Sequence, residues 1–391
     1  MKKIIISILI ILALSGCWDY KELNNYSIVT GVAIDKSDDK YEVSVLISNS
    51  PKNGSDAESS KAKIVVYSGT GDTIFAAFKD IGLISPKELY LGHFSVLIIS
   101  EDIAREGIKP VIDIFLREST SKKNFYVTIT RDCKAKDTLK IITPLSDFPS
   151  QNITDNLLST TELQGLVSNI NFNELLSNLE RSGIEPVMNS IKIIGDEKKG
   201  SSNKNVETSE PKSYIKLDTI GIFKGDKLID FTSKTESVGI NVINNKIAEM
   251  YVKVKYNNGY VVINTTKFSS DVKVSLENNK PVIKINAKGE AKIVEVNCDI
   301  DLNSDKELSE LNKKLNKEVK HYIKEGLSVA QENESDIFGF GLKLYQDHPK
   351  YYNSIKDNWN EELKNINVEI KTDIVLKSKG SSQKSLEENH E

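Results

Sequence analysis

The sequence predicts an α+β protein of more than one domain, with mixed sheets covered by packed helices in an N-terminal and a C-terminal unit. Three observations carry this. Over the first half, β-branched runs alternate with short amphipathic helices. Over the second half, one long amphipathic helix sits among alternating strands. Between them lies a stretch almost without apolar residues. At roughly 100–200 residues per domain, 391 residues suit two cores and leave room for the N-terminal half to split in two. The expected layout is a leader at 1–16, an N-terminal α/β unit at 17–196, a polar linker or loop at 197–213, a C-terminal α+β unit at 214–378 and a disordered tail at 379–391.

In chain order, "NYSIVTGVAIDKSDDKYEVSVLIS" predicts a hairpin, two β-branched runs around a polar turn. "SPKNGSDAESSKA" is a polar loop and "KIVVYSG" a third strand. In "DTIFAAFKDIG", Ile74, Phe75, Phe78 and Ile81 share a helical face, and Gly82 suits the stop. The near-continuous apolar run of "ELYLGHFSVLIIS" predicts a central strand buried on both faces, with His93 a hydrogen-bonded core residue. "GIKPVIDIFLRES" is a short helix turning Val111, Ile114 and Phe115 inward, and "NFYVTITRD" is a strand. From about 153 to 183 the chain reads helical, ending with Arg181 and Gly183 as stop signals. The strand "VMNSIKIIG" follows.

After the polar stretch, "YIKLDTIGIFKGDKLIDFTS" predicts two strands around Lys224–Lys227, with more alternating strands between about 250 and 300. The strongest helix begins at the capping pair Ser304 and Glu307. Its stripe is Leu308, Leu311, Leu315, Val319, Tyr322, Ile323 and Leu327, the face of a core helix. "KYYNSIKDNWNEEL" is a shorter helix and "INVEIKTDIVLKS" a last strand.

The first residues announce a destination. Lys2 and Lys3 precede an apolar run, Ile4 to Leu14, of signal-peptide length. About 20 residues would be needed to span a bilayer. "LSGC" then places Cys17 directly after small residues, the pattern of a bacterial lipobox, in which the cysteine sulfur is acylated and the leader cut before it. The plainer reading is an ordinary secretory signal with an incidental cysteine. Two acyl chains hold a protein on a membrane stably where one is marginal. Trp18 and Tyr20 would then lie near the headgroups, where amphipathic rings concentrate. Alternatively, Trp18 tucks into the first domain and fixes its orientation.

Chemistry-bearing patterns are scarce. The formal charge of −4 falls to about −6 without Lys2 and Lys3, which argues against nucleic acid. There is no Walker loop, H-E-x-x-H, G-x-S-x-G or C-x-x-C. No cofactor or metal is implied and no catalytic residue stands out. Asp299, Asp301, Asn303, Asp305 and Glu310 fall at calcium-loop spacing, but Ser304 stands where that loop needs glycine. Cys133 and Cys298 lie in different units and read as two free thiols, with a bridge the lesser reading. "SDIFGFG" sets Phe338 and Phe340 on a tight backbone, either a packing turn or a ring-lined contact for a partner or a lipid surface.

Taken together, "GCWDYKELN", "IVTGVAIDK", "LYLGHFSVLIISEDIAREGI", "FLRE", "GIFKGDKLIDFTSKTESVGI" and "DIFGFG" with the later Trp359 resemble, in order, the blocks of Ger(x)C-type lipoproteins, the C subunits of bacterial spore germinant receptors. The resemblance spans about 17–378. It departs at Tyr20 and Lys21, where relatives often carry Arg after the Trp-Asp pair, and in a long polar spacer. It implies a lipid-anchored, non-enzymatic subunit on the outer face of the spore inner membrane. Its partners would be the A and B integral membrane subunits of a nutrient sensor and the bilayer itself. A solute-binding lipoprotein with a ligand cleft between its halves is the alternative, and an envelope enzyme is a third.

Overall fold

The computed structural model describes residues 25–49 and 62–378. The leader, Cys17, Trp18, Tyr20, most of the loop after the first hairpin and the tail 379–391 lie outside the described residues.

The expected hairpin is present as β1 (Tyr26–Ser37) and β2 (Lys40–Ser48), with β3 (Ile64–Gly71) antiparallel to β2. The run expected as one central strand breaks into β4 (Glu88–Tyr90) and β5 (Val96–Ile99), both parallel to β1. His93 falls in the break and is exposed against the Tyr90 ring, so it is not the core residue its neighbours suggest. β6 (Tyr126–Thr130), β7 (Val187–Gly195), β8 (Ser213–Lys224) and β9 (Lys227–Phe231) complete a mixed sheet ordered β3-β2-β1-β5-β6-β7-β8-β9.

β5 shows why the centre of this sheet reads as a continuous apolar run. Leu97 and Ile99 enter one core and Val96 and Ile98 the other, all fully buried. The first face is covered by α1 (Ile74–Ile81), α2 (Glu101–Glu106), α3 (Lys109–Arg117) and, further along, residues 172–180. The second is covered by α4 (Pro149–Gln164) and the turn at Ala135–Thr138. α1 is capped by the Thr73 hydroxyl, which accepts from Ala76 N. Its buried face is Ile74, Ala77 and Ile81; Phe78 is half-buried and Phe75 is 61% exposed. The helix lies so close on β3 that the small Ala77 sets the inward side.

The polar stretch 197–213 joins β7 to β8, antiparallel neighbours in one sheet. The strands expected to open the C-terminal unit therefore extend the first sheet. Buried Asn205 fastens this connection, donating to Ile142 O and Ser213 O and accepting from the backbone N–H groups of Lys212 and Ser213.

Beyond α5 (Phe172–Glu180), a helix not anticipated in the sequence, α6 (Lys234–Ile243), leads to the second sheet. That sheet is ordered β10-β11-β12-β13, from β10 (Met250–Tyr256), β11 (Gly259–Glu277), β12 (Lys280–Asn297) and β13 (Asn367–Ser378). β10 buries Met250, Val252, Val254 and Tyr256 and exposes the residues between, a one-sided sheet. The long helix α7 (Asp305–Glu332) covers the buried side with Leu311, Leu315, Val319 and Ile323. Its capping differs in one detail. Ser304 accepts from Glu307 N, but the Glu307 carboxylate reaches back to Asp301 N, holding the loop before the helix. Asn312 and Asn316 of α7 bond the backbone of Ile374 and Leu376, so the outer edge of β13 is satisfied by side chains.

The two sheets share a core. One apolar cluster runs from Phe115, Phe125 and Phe172 through Ile240 and Ile243 to Ile263 and Ile323. α6 meets α7 where Gly239 faces Gly326: a Cβ on Gly239 would lie 1.9 Å from Tyr322 O, so no larger residue fits there. Cys133 and Cys298 are not bridged to each other; Cys298 is buried and Cys133 half-buried.

Candidate functional site

The two halves meet most intimately at "SDIFGFG". α7 ends in a turn with Glu334 at φ 50°, and Ser335 then donates to Phe223 O of β8 at 2.5 Å. Asp336 follows, 1% exposed, and its carboxylate collects three donors. Oδ1 accepts from Phe340 N at 3.0 Å; Oδ2 accepts from Gly341 N at 2.7 Å and from the Trp359 indole at 2.8 Å. Phe340 and Gly341 open α8 (Phe340–Asp347), so the anion sits at a helix N-terminus, where unpaired N–H groups favour negative charge. α9 (Pro349–Ile355) and α10 (Trp359–Lys364) bring Tyr352 and Trp359 back over it, their rings 5.9 Å apart.

The other wall comes from the segment between α5 and β7. Leu342 N donates to Gly183 O at 2.9 Å and Glu185 N to Asp336 O at 2.8 Å. The Ser182 hydroxyl lies 3.0 Å from Tyr352 OH, and Glu185 accepts from Gly225 N at 2.7 Å. Gly183, at φ 79°, comes so close to Gly341 that a Cβ on it would lie 2.6 Å from the Gly341 carbonyl carbon. Between the walls is a polar cleft of about 240 Å³, whose lining includes Lys109, Arg181, Glu185, Asp336 and Lys356.

Burial is the dominant electrostatic fact. It pushes the Asp336 carboxyl up to about 6, against the pull of its backbone and indole donors. Burial also raises Glu185, with the nearby Asp336 adding to the shift. Outside this junction, burial pushes Asp35 up to about 6 as well, although Ala135 N and Lys136 N donate to it.

Phe338 and Phe340, singled out from the sequence, are 7% and 0% exposed and pack ring against ring at 5.1 Å. They are enclosed by protein and offer no free face to a partner or lipid, in keeping with the packing-turn reading. Asp336 and Glu185 were missed, and Gly183 was read only as a helix stop. The one available signal was an aspartate four residues before Phe340, at the entry to a helix. Among the described residues, no group of three or more His, Cys, Asp or Glu side chains could hold a metal ion, and no helix is long and apolar enough to cross a membrane. The Asp301 carboxylate of the calcium-like spacing accepts from Asn303 N within its own loop.

This architecture and its blocks define a germination-protein class. Residues 19–193 match the spore germination protein N-terminal domain, and residues 218–380 match the spore germination B3/GerAC-like C-terminal domain. The chain belongs to this GerAC-like spore germination family. It is 27% identical to spore germination protein KC of Bacillus subtilis, covering 96% of this chain and 95% of that one. It is 24% identical to spore germination protein B3 of the same organism, covering 94% of each, and 22% identical to spore germination protein GerQC of Bacillus cereus, covering 98% of this chain and all of the relative. The crystal structure of the GerBC protein has the same fold, with a TM-score of 0.56 over 92% of this chain and 99% of that one at 17% identity. The C-terminal match begins inside β8, so the strands that finish the first sheet straddle the two family domains.

Proposed function

We propose that this protein is the lipid-anchored C subunit of a nutrient germinant receptor, required for spore germination. It acts by assembly with the A and B integral membrane subunits and not by catalysis. Acylated Cys17 holds it to the outer face of the spore inner membrane. The observation that carries this reading is the coincidence, in one chain, of a lipobox at Cys17 with both germination-family domains in order. The shared core and the fastened junction at Asp336 support a body that transmits contacts as one piece.

A solute-binding role would place its ligand in the cleft beside Asp336. That cleft, about 240 Å³, is below the roughly 300–1,000 Å³ of most small-molecule sites, which counts against a ligand held between the halves. Calorimetry of the purified protein with amino acids and sugars separates the two, since saturable heat would support solute binding. Deleting the gene tests the leading proposal: the response to one germinant class disappears while growth is normal. An unchanged response to every germinant would refute it.

A further inference from the structure

Three exposed large apolar side chains fall together in the chain, on and just after α1. Phe75 is 61% exposed, Leu83 84% and Ile84 54%. All three lie on α1 or directly after its end at Gly82. Phe75 lines a groove of about 770 Å³ with Phe78, Leu89, Leu91 and Ile114, with Asn25 on the same lining, and Leu83 and Ile84 lie in the chain between its lining residues Gly82 and Ser85. Folding does not explain them, because α1 already packs through Ile74, Ala77 and Ile81.

Asn25 also fixes the geometry of anchoring. Seven residues, or eight Cα-to-Cα steps, separate it from Cys17. A fully extended segment of that length reaches at most about 29 Å, and a less extended one holds the body nearer. The corner carrying Asn25 is therefore the part of the body tied closest to the lipid, if Cys17 is acylated. Its charges balance: Lys79, which lies over the Phe75 ring at 5.3 Å, and Lys87 share the groove with Glu88 and Glu118. Such a surface has little net electrostatic pull and a marked apolar one.

We infer that this corner, led by Phe75, Leu83 and Ile84, docks on the phospholipid bilayer, its side chains entering the boundary between headgroups and acyl chains. The inference rests on the acylated Cys17 reading. Acylation supplies the affinity, and the corner sets the orientation of the body, with β1 rising from the membrane surface. Because apolar insertion dominates, docking changes little with salt.

The test uses the full acylated chain on vesicles of phosphatidylglycerol and phosphatidylcholine, read by hydrogen exchange and by flotation. The expected result is that amides from Leu83 to Lys87 exchange about tenfold more slowly on vesicles than in the vesicle-free Cys17→Ala chain, while β10, far along the chain, is unchanged. Leu83→Glu with Ile84→Glu, both at exposed positions, removes that protection while the protein still floats with the vesicles. Flotation with no added protection at Leu83–Lys87 overturns docking and leaves the anchor standing. Failure to float overturns the anchor, and docking with it. Protection that appears only when integral membrane subunits are reconstituted assigns the corner to a protein partner and overturns the lipid assignment.

Discussion

Replacing Asp336 by asparagine changes how stability depends on pH, and the size of the change follows from the junction. An ordinary aspartate titrates near 3.9, whereas burial pushes Asp336 up to about 6. The folded protein therefore binds this proton more tightly than the unfolded chain between about pH 4 and 6. The sign is fixed. The stabilisation from protonated Asp336 is complete below the unfolded value and is lost as pH rises through about 6. Two units at about 1.4 kcal/mol each make the loss about 3 kcal/mol by pH 7. Asparagine does not titrate, so Asp336→Asn lacks this loss. It carries a constant cost, because its amide nitrogen replaces Oδ1 and meets the Phe340 N–H, donor against donor. That costs about 1–3 kcal/mol. Urea unfolding of both proteins from pH 4 to pH 7 gives the difference directly, and Trp359, bonded to the same carboxylate, reports it by fluorescence. Relative to wild type, the variant gains about 2 kcal/mol over that range, because at pH 4 the unfolded aspartate is already half ionised. A difference that stays constant with pH would refute the assignment of the raised carboxyl to Asp336.

Three further outcomes follow from the packing. Gly239→Ala drives a Cβ to 1.9 Å from Tyr322 O, separates α6 from α7 and costs about 3 kcal/mol or more in urea unfolding. Leu315→Ala on the buried stripe of α7 costs about 2–5 kcal/mol, while Phe75→Ser, at an exposed position, stays within about 0.5 kcal/mol. Burial pushes the Cys133 thiol up to about 11, so timed alkylation at neutral pH, read by mass spectrometry, is about 100-fold slower in the folded protein than in urea.

Much of the fold was legible because its main elements obey simple periods. The β1–β2 hairpin, β3, the buried run of β5 and the stripe of α7 all follow from apolar spacing. Three elements did not, each for a reason outside local pattern. α6 has weak helix formers in Gly239 and Asn241, kept because one faces the α7 backbone and the other donates to Gly165 O and Val167 O. Its capping box, Ser233 with Glu236, was the readable signal. His93 looked buried because apolar residues flank it, yet the strand breaks there. Composition marks 197–213 as a polar linker or loop, but that it joins β7 and β8, antiparallel neighbours in one sheet, is a long-range fact. The junction was legible only in part. Phe338 and Phe340 stood out by size, whereas the groups that organise them are an aspartate and two glycines whose contacts come from distant segments.

The central claim is that the protein works by assembly at the spore membrane through Cys17. Tagged wild-type protein and Cys17→Ala, each recovered from spore membranes in mild detergent and probed for co-purifying subunits alongside a germination assay, test it most directly. The account predicts that wild type brings down two integral membrane subunits, while Cys17→Ala leaves the membrane fraction and the response fails. Full response from a Cys17→Ala protein still in the membrane fraction, or an active wild-type protein that recovers no membrane subunit, would contradict it.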